Sequence, residues 1–190
     1  MTGSSALVGS YGMQVIVNDT GTIFVTDELP IAEPHYRVRF YLNPNSISML
    51  DSQDFYIFTG YQTSSVFQVQ LGFSVASTPA CTGKYCIRLR QTNDSGTTTS
   101  TGWIVIDNNF SNVIEIEWWA ASASGANNGG ANLWITRNNA NESGSLSNLD
   151  NDTKRIDYVR LGAVSGLNVG TLGTYYLDAF ESRRQTYIGP

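Results

Sequence analysis

The chain is poor in charge. Only 14% of its 190 residues are Asp, Glu, Lys or Arg, and helix formers such as Lys, Glu and Ala are sparse, a balance that suits short strands joined by turns. Bases are scarcer than acids, 11 against 16, and the net charge of -5 argues against a nucleic-acid partner held by phosphate electrostatics. Lysine is nearly missing, so arginine dominates the bases, a side chain suited to fixed planar hydrogen bonds. No apolar run approaches the ~20 residues that a membrane-spanning helix needs, and no membrane span is expected. The chain opens without a basic-then-apolar leader, so a secreted protein would have this as its mature part. With one histidine, His35, and no G-x-S-x-G motif, a serine-hydrolase triad is not expected.

Cysteine is almost absent too. The two present, Cys81 and Cys86, lie in PACTGKYC with a Gly between them. That spacing suits a hairpin loop closed by a disulfide, which would place the chain in an oxidising, extracellular or cell-surface setting. The alternative is two reduced thiols, and without a nearby histidine a metal site there is not expected. Five N-x-S/T sequons (Asn18, Asn93, Asn109, Asn141, Asn151) carry no weight in a chain this rich in Asn, Ser and Thr.

What is present is turn chemistry and aromatics, the latter at 12%. Eleven strand-length runs follow one another: 13–17, 22–27, 35–44, 54–61, 66–75, 85–92, 103–107, 113–121, 131–138, 155–164 and 174–184. Most alternate with period two. Tyr36, Val38, Phe40 and Leu42 share one face, and so do Phe67, Val69, Leu71 and Phe73. In VIEIEWWAA, Ile114, Ile116 and Trp118 face one way and Glu115, Glu117 and Trp119 the other. Trp103 and Trp118 are expected in the core. No helical window, repeat or linker appears, so the expectation is an all-β, two-sheet antiparallel sandwich or barrel, one domain over 1–190.

YRVRFYLNPNSISM, IEIEWWA, the opening SSALVGSYGMQV and the closing DYVRLGAVSGLNVGTLGTYYLDAFESRRQTYIGP together resemble concanavalin A-like (laminin-G-like) jelly-roll modules of bacterial secreted and surface proteins. The resemblance implies two antiparallel sheets, one curved, with the concave face as the usual ligand platform. It does not select among lectins, carbohydrate-binding modules, glucanases and assembly modules.

Three candidate sites follow. Glucanases of this superfamily carry E-x-D-x-E or E-x-D-x-x-E on one strand, with nucleophile and acid about 5–5.5 Å apart. Here Glu115 fits the first position and Glu117 replaces the middle Asp, but Trp119 or Ala120 stands where the acid belongs. No enzyme is therefore expected. The second candidate is a glycan-binding face. If the runs at 36–42, 66–73, 85–91 and 113–121 share a sheet, its polar side carries Arg37, Arg39, Tyr41, Gln68, Gln70, Arg88, Arg90, Glu115, Glu117 and Trp119, with Trp134 beside them. Aromatic rings stack on sugar C–H faces while planar amides, carboxylates and guanidinium groups hold hydroxyls. The alternative is a solvated face on which RLR and EIE form cross-strand ion pairs worth only ~0.2–1 kcal/mol each.

The third candidate is structural Ca²⁺. The resemblance implies a site near the chain ends, with Asp178 of YYLDAF as a ligand and Asp27, Glu28 or Glu33 joining it; the alternative for Asp178 is a salt bridge to Arg183 or Arg184. The NLDNDT turn (Asp150, Asn151, Asp152) is a second possibility, against simple turn formation. The expected function is a non-catalytic extracellular carbohydrate-binding module whose partner is a polysaccharide or glycan. The main alternative is a self-assembling structural subunit of a filament or surface layer, with Met13–Val17 and SRRQTYIGP as pairing edges.

Overall fold

The computed structural model describes residues 2–138, 140–184, 186 and 188. Among these residues thirteen strands follow in chain order: β1 (Met13–Val17), β2 (Ile23–Asp27), β3 (His35–Asn43), β4 (Asp54–Tyr61), β5 (Ser65–Phe73), β6 (Tyr85–Thr92), β7 (Thr98–Ser100), β8 (Ile104–Val105), β9 (Asn112–Trp119), β10 (Gly129–Arg137), β11 (Ala140–Leu149), β12 (Tyr158–Ser165) and β13 (Gly173–Arg183). The alternation read in β3 is the alternation observed: its residues are half-buried and buried in strict turn. The strands form a six-stranded sheet, β1-β13-β3-β9-β10-β11, and a seven-stranded sheet, β2-β12-β4-β5-β6-β7, with β8 beside β6. All pairings named here are antiparallel. The protein is an antiparallel β-sandwich, as the sequence predicts.

The core is an aromatic seam between the sheets. Phe40 of β3 stacks on Phe58 of β4 at 5.7 Å, and Trp118 of β9 stacks on Phe67 of β5 at 6.2 Å. Each such side chain contributes roughly 1.5–3 kcal/mol by leaving water. The seam fixes the outward faces, because every residue beside an inward one must point away.

Two strands have no counterpart in the sequence reading. β7 (TTS) and β11 (ANESGSLSNL) are sheet edges built from small polar residues and largely exposed. An edge strand with little to bury has no apolar alternation to read. Trp103 also departs from expectation. It is half-buried on the outside, lying across Gly72, where a Cβ would meet the ring at 2.8 Å. Trp118 is fully buried, as expected.

Candidate functional site

The residues expected on one polar face divide between two sheets. Arg37, Arg39 and Tyr41 on β3, Glu115, Glu117 and Trp119 on β9, and Trp134 on β10 belong to the six-stranded sheet. Gln68 and Gln70 on β5 and Arg88 and Arg90 on β6 belong to the seven-stranded sheet and look out from the opposite side. Period-two alternation says that a residue faces outward. It does not say from which sheet.

On the six-stranded sheet, Glu117 is a hub. Its Oε1 accepts from Arg37 Nη2 at 2.5 Å and lies 2.8 Å from His35 Nε2, and its Oε2 accepts from Asn132 Nδ2 at 3.3 Å. The partner of the EIE segment is thus the RVR of β3: Arg37 stands opposite Glu117 and Arg39 opposite Glu115. The alternative ladder between EIE and the Arg88–Arg90 segment does not form, because β6 and β9 lie in different sheets. Arg39 donates instead to Glu181 of β13 at 3.2 Å.

Glu115 is different. It is 5% exposed, and its Oε1 has no hydrogen-bond partner among the described residues. With Val113, Trp134, Thr136, Asn141 and Ser143 it lines a groove of about 190 Å³ across β9, β10 and β11. Trp134 stands directly opposite Glu115, with the Arg37 guanidinium 6.0 Å from its ring centre. Asn141 and Ser143 were not expected here. Their only sequence signal is Asn138 after ANLWITR, a residue at positive φ (36°) that ends β10 before β11 pairs beside it.

Trp119 does not stand free on the sheet. It lies across Gly130 of β10, where a Cβ would meet the ring at 2.3 Å, and its Nε1 donates to the Asn128 carbonyl at 3.0 Å. Asn128, in the segment joining β9 to β10, thus holds the ring by its edge, and Trp119 is half-buried rather than displayed. Tyr41 is half-buried three rows further along the same face, opposite Val113 and Asp178.

On the seven-stranded sheet, Gln70 links a short network. Its Nε2 donates to Asp54 at 2.6 Å and its Oε1 accepts from Arg88 Nε at 2.6 Å. The Arg88 guanidinium lies 4.4 Å over the Trp103 ring, and burial pulls its pKa below the usual arginine value. Arg90 donates to the Tyr56 hydroxyl, and Gln68 sits between Thr59 and Arg90.

The expected calcium ligands have other roles. Asp178 Oδ2 accepts from the backbone N–H of Leu7 and of Val8, both at 2.8 Å, and its Oδ1 from Ala179 N–H at 2.7 Å. Asp27 Oδ1 accepts from Leu29 N–H at 3.0 Å. Both line a cavity of about 680 Å³, but backbone donors already occupy oxygens a cation would need. Glu33 pairs with Arg184 at 2.8 Å. Among the described residues, the carboxylates close enough to hold a metal ion are those of Asp94, Asp150 and Asp152, with ligand atoms within 4.8 Å of one another. Thr153 takes both oxygens of Asp94, through its hydroxyl at 2.5 Å and its N–H at 3.2 Å. Asn151, between the two aspartates, is fully buried. Its Oδ1 accepts from Ala121 N–H at 2.8 Å and its Nδ2 donates to the Trp119 carbonyl at 3.1 Å.

Cys81 and Cys86 form a disulfide with Cα atoms 6.0 Å apart. No helix among the described residues is long and apolar enough to cross a membrane.

No protein-family model matches the chain, and no curated protein sequence does. Solved structures do. The receptor binding domain of botulinum neurotoxin mosaic serotype C/D aligns with a TM-score of 0.57 and 12% identity over 91% of this chain and 38% of that one. The serotype D binding domain gives 0.57 and 12% over 92% and 40%, and that of serotype D/C VPI 5993 gives 0.56 and 10% over 93% and 41%. The chain spans about two fifths of the length of these relatives. At such identity the likeness is one of fold, and the fold it shares with them is a jelly-roll-like β-sandwich.

Proposed function

We propose that the chain is a non-catalytic, extracellular carbohydrate-binding module whose combining site is the groove across β9, β10 and β11. The observation that carries this is Glu115. A carboxylate oxygen buried without a partner costs folding free energy, and a ligand bearing hydroxyl donors would satisfy it. Trp134 beside it offers a ring for a sugar's C–H face, and Thr136, Asn141 and Ser143 offer small polar partners. The groove is smaller than the roughly 300–1,000 Å³ of pockets that enclose drug-sized ligands, which favours one sugar ring, free or within a chain. The disulfide fits the extracellular setting.

Two arrangements favour binding over cleavage. Arg37, His35 and Asn132 engage both oxygens of Glu117, leaving neither free to protonate a leaving group. The position of the missing acid is filled by Trp119 in the shorter spacing, packed on Gly130, and by Ala120 in the longer one.

A glycan array with pull-down on insoluble polysaccharides tests the proposal. Glu115→Ala and Trp134→Ala should each weaken retention about tenfold or more. Absence of binding to every glycan, or binding indifferent to both changes, would remove it.

A second reading, self-assembly, has its own observation. Among the described residues β1 and β2 are outer strands of the two sheets, and the 680 Å³ cavity lies beside them with Val25 and Leu29 exposed at its wall. The C-terminal segment fits that reading less well, because Ser182 and Arg183 pair with Val38 and Arg37 inside the sheet. Gln185, Tyr187, Gly189 and Pro190 lie outside the described residues. Oligomers in light scattering that Val25→Asp dissolves would favour assembly over glycan capture.

A further inference from the structure

The two outer faces treat their arginines differently. On the six-stranded sheet Arg37, Arg39 and Arg183 pair with Glu117 and Glu181. On the seven-stranded sheet Arg88, Arg90 and Arg160 have no carboxylate partner among the described residues. They are held by aromatic rings instead. Arg160 lies 4.4 Å over Phe24, 5.1 Å over Tyr61 and 5.5 Å over Tyr158. Arg88 lies 4.4 Å over Trp103, and Arg90 lies 5.7 Å over Tyr56 while donating to its hydroxyl. The nearby acid, Asp54, accepts from Gln70.

Register makes this a row rather than a scatter. Thr26, Arg160, Thr59, Gln68, Arg90 and Ser100 stand side by side across β2, β12, β4, β5, β6 and β7. Arg160 and Arg90 are three strand spacings apart, about 14 Å. Thr59, between them, is fully buried with Oγ1 unpartnered among the described residues, as are Nε of Arg90 and of Arg160. Tyr61 and Tyr158 stack at 4.9 Å beside the row.

A guanidinium pinned by rings keeps its planar N–H edge fixed but has no carboxylate in direct contact with it. An anion would supply that contact and charge-assisted hydrogen bonds, at little ordering cost because the forks are already immobile. The separation of Arg160 from Arg90 calls for a chain with repeated anionic groups, not one ion. We infer that the outer face of the seven-stranded sheet binds an anionic polysaccharide, its carboxylate or sulfate groups on Arg160, Arg90 and Arg88 and its rings against the aromatic side chains. This site is separate from the β9–β11 groove, from which it looks away. A single-stranded nucleic acid offers anions and rings as well, and the net charge of -5 opposes it and an anionic glycan alike, so it enters the test as the competitor.

Affinity electrophoresis through gels carrying polygalacturonate, heparin or neutral dextran, with single-stranded DNA as competitor, tests the inference. Retention is expected on polygalacturonate or heparin, which distinguishes carboxylate from sulfate, and should fall as salt rises. Arg160→Gln should weaken it about tenfold or more. Gln68→Glu, which sets a carboxylate between Arg160 and Arg90 without emptying the aromatic cage, should do the same. Lys84→Gln, an equal charge change on the Cys81–Cys86 loop, should leave retention unchanged. Folding of each variant is checked by circular dichroism. No retention on either polyanion at low salt, retention indifferent to Gln68→Glu, or stronger binding of single-stranded DNA would overturn the inference.

Discussion

Two glutamates two residues apart on one strand should respond to the same substitution with opposite sign. Glu115 is 5% exposed and its Oε1 has no partner among the described residues; Glu117 has a side chain 13% exposed and engaged by Arg37, His35 and Asn132. Gln is isosteric with Glu, so each change removes charge and little else. At Glu115 the amide is cheaper to keep out of water than the carboxylate, and the expected gain is about 1 kcal/mol. At Glu117 the charge-assisted bond to Arg37 is lost, and the pair is only partly buried, which lowers the expected cost to about 2 kcal/mol. For a chain of this size 1 kcal/mol moves Tm by roughly 2–4 °C. Scanning calorimetry should then show Glu115→Gln melting about 2–4 °C above the parent and Glu117→Gln roughly 4–8 °C below it. Glycan binding should invert the order of damage, with Glu115→Gln weaker by about tenfold and Glu117→Gln less affected. The reasoning fails if Glu115→Gln lowers Tm, for then its carboxylate supports the fold rather than waiting for a ligand.

Other outcomes follow from the same structure. Asn151→Ala leaves the Ala121 N–H and the Trp119 carbonyl without their partner, and should cost about 2–4 kcal/mol in urea unfolding; in a glycosylating host Asn151 should stay unmodified, which peptide mapping checks. Reducing the Cys81–Cys86 disulfide opens a small loop and should cost at most about 2 kcal/mol, so a Tm drop far beyond 8 °C would point to a larger role. Burial raises the pKa of Tyr36, Tyr85 and Tyr175. The folded state therefore holds their protons more tightly than the unfolded chain, so their contribution is intact below about pH 10 and lost above it. An alkaline melt tracking phenolate absorbance should show tyrosine ionisation coinciding with unfolding. Millimolar Ca²⁺ should move Tm by less than about 1 °C, because Thr153 already takes both oxygens of Asp94. A larger rise abolished by Asp152→Asn would reverse that reading.

The sequence by itself determined which residues face inward. Tyr36, Val38, Phe40 and Leu42 are buried because alternation is a local property of the pleat, and apolar side chains placed every second residue can leave water on only one side. Glu115, Glu117 and Trp134 were legible as outward residues for the same reason, and the Cys81–Cys86 pair because its separation is short. Tertiary structure decided which outward residues meet. β3 and β9 are neighbours while β5 and β6 lie in the other sheet, and strands of both sheets carry the same period. Sheet membership depends on pairings between segments far apart in the chain, such as β13 with β3, which a local pattern does not encode. Polar β11, invisible to an apolar pattern, supplies one wall of the groove through Asn141 and Ser143. The division of the arginines into a face with carboxylate salt bridges and one held by aromatic rings likewise exists only in three dimensions, since RVR and RLR read alike until the strand beside each is known.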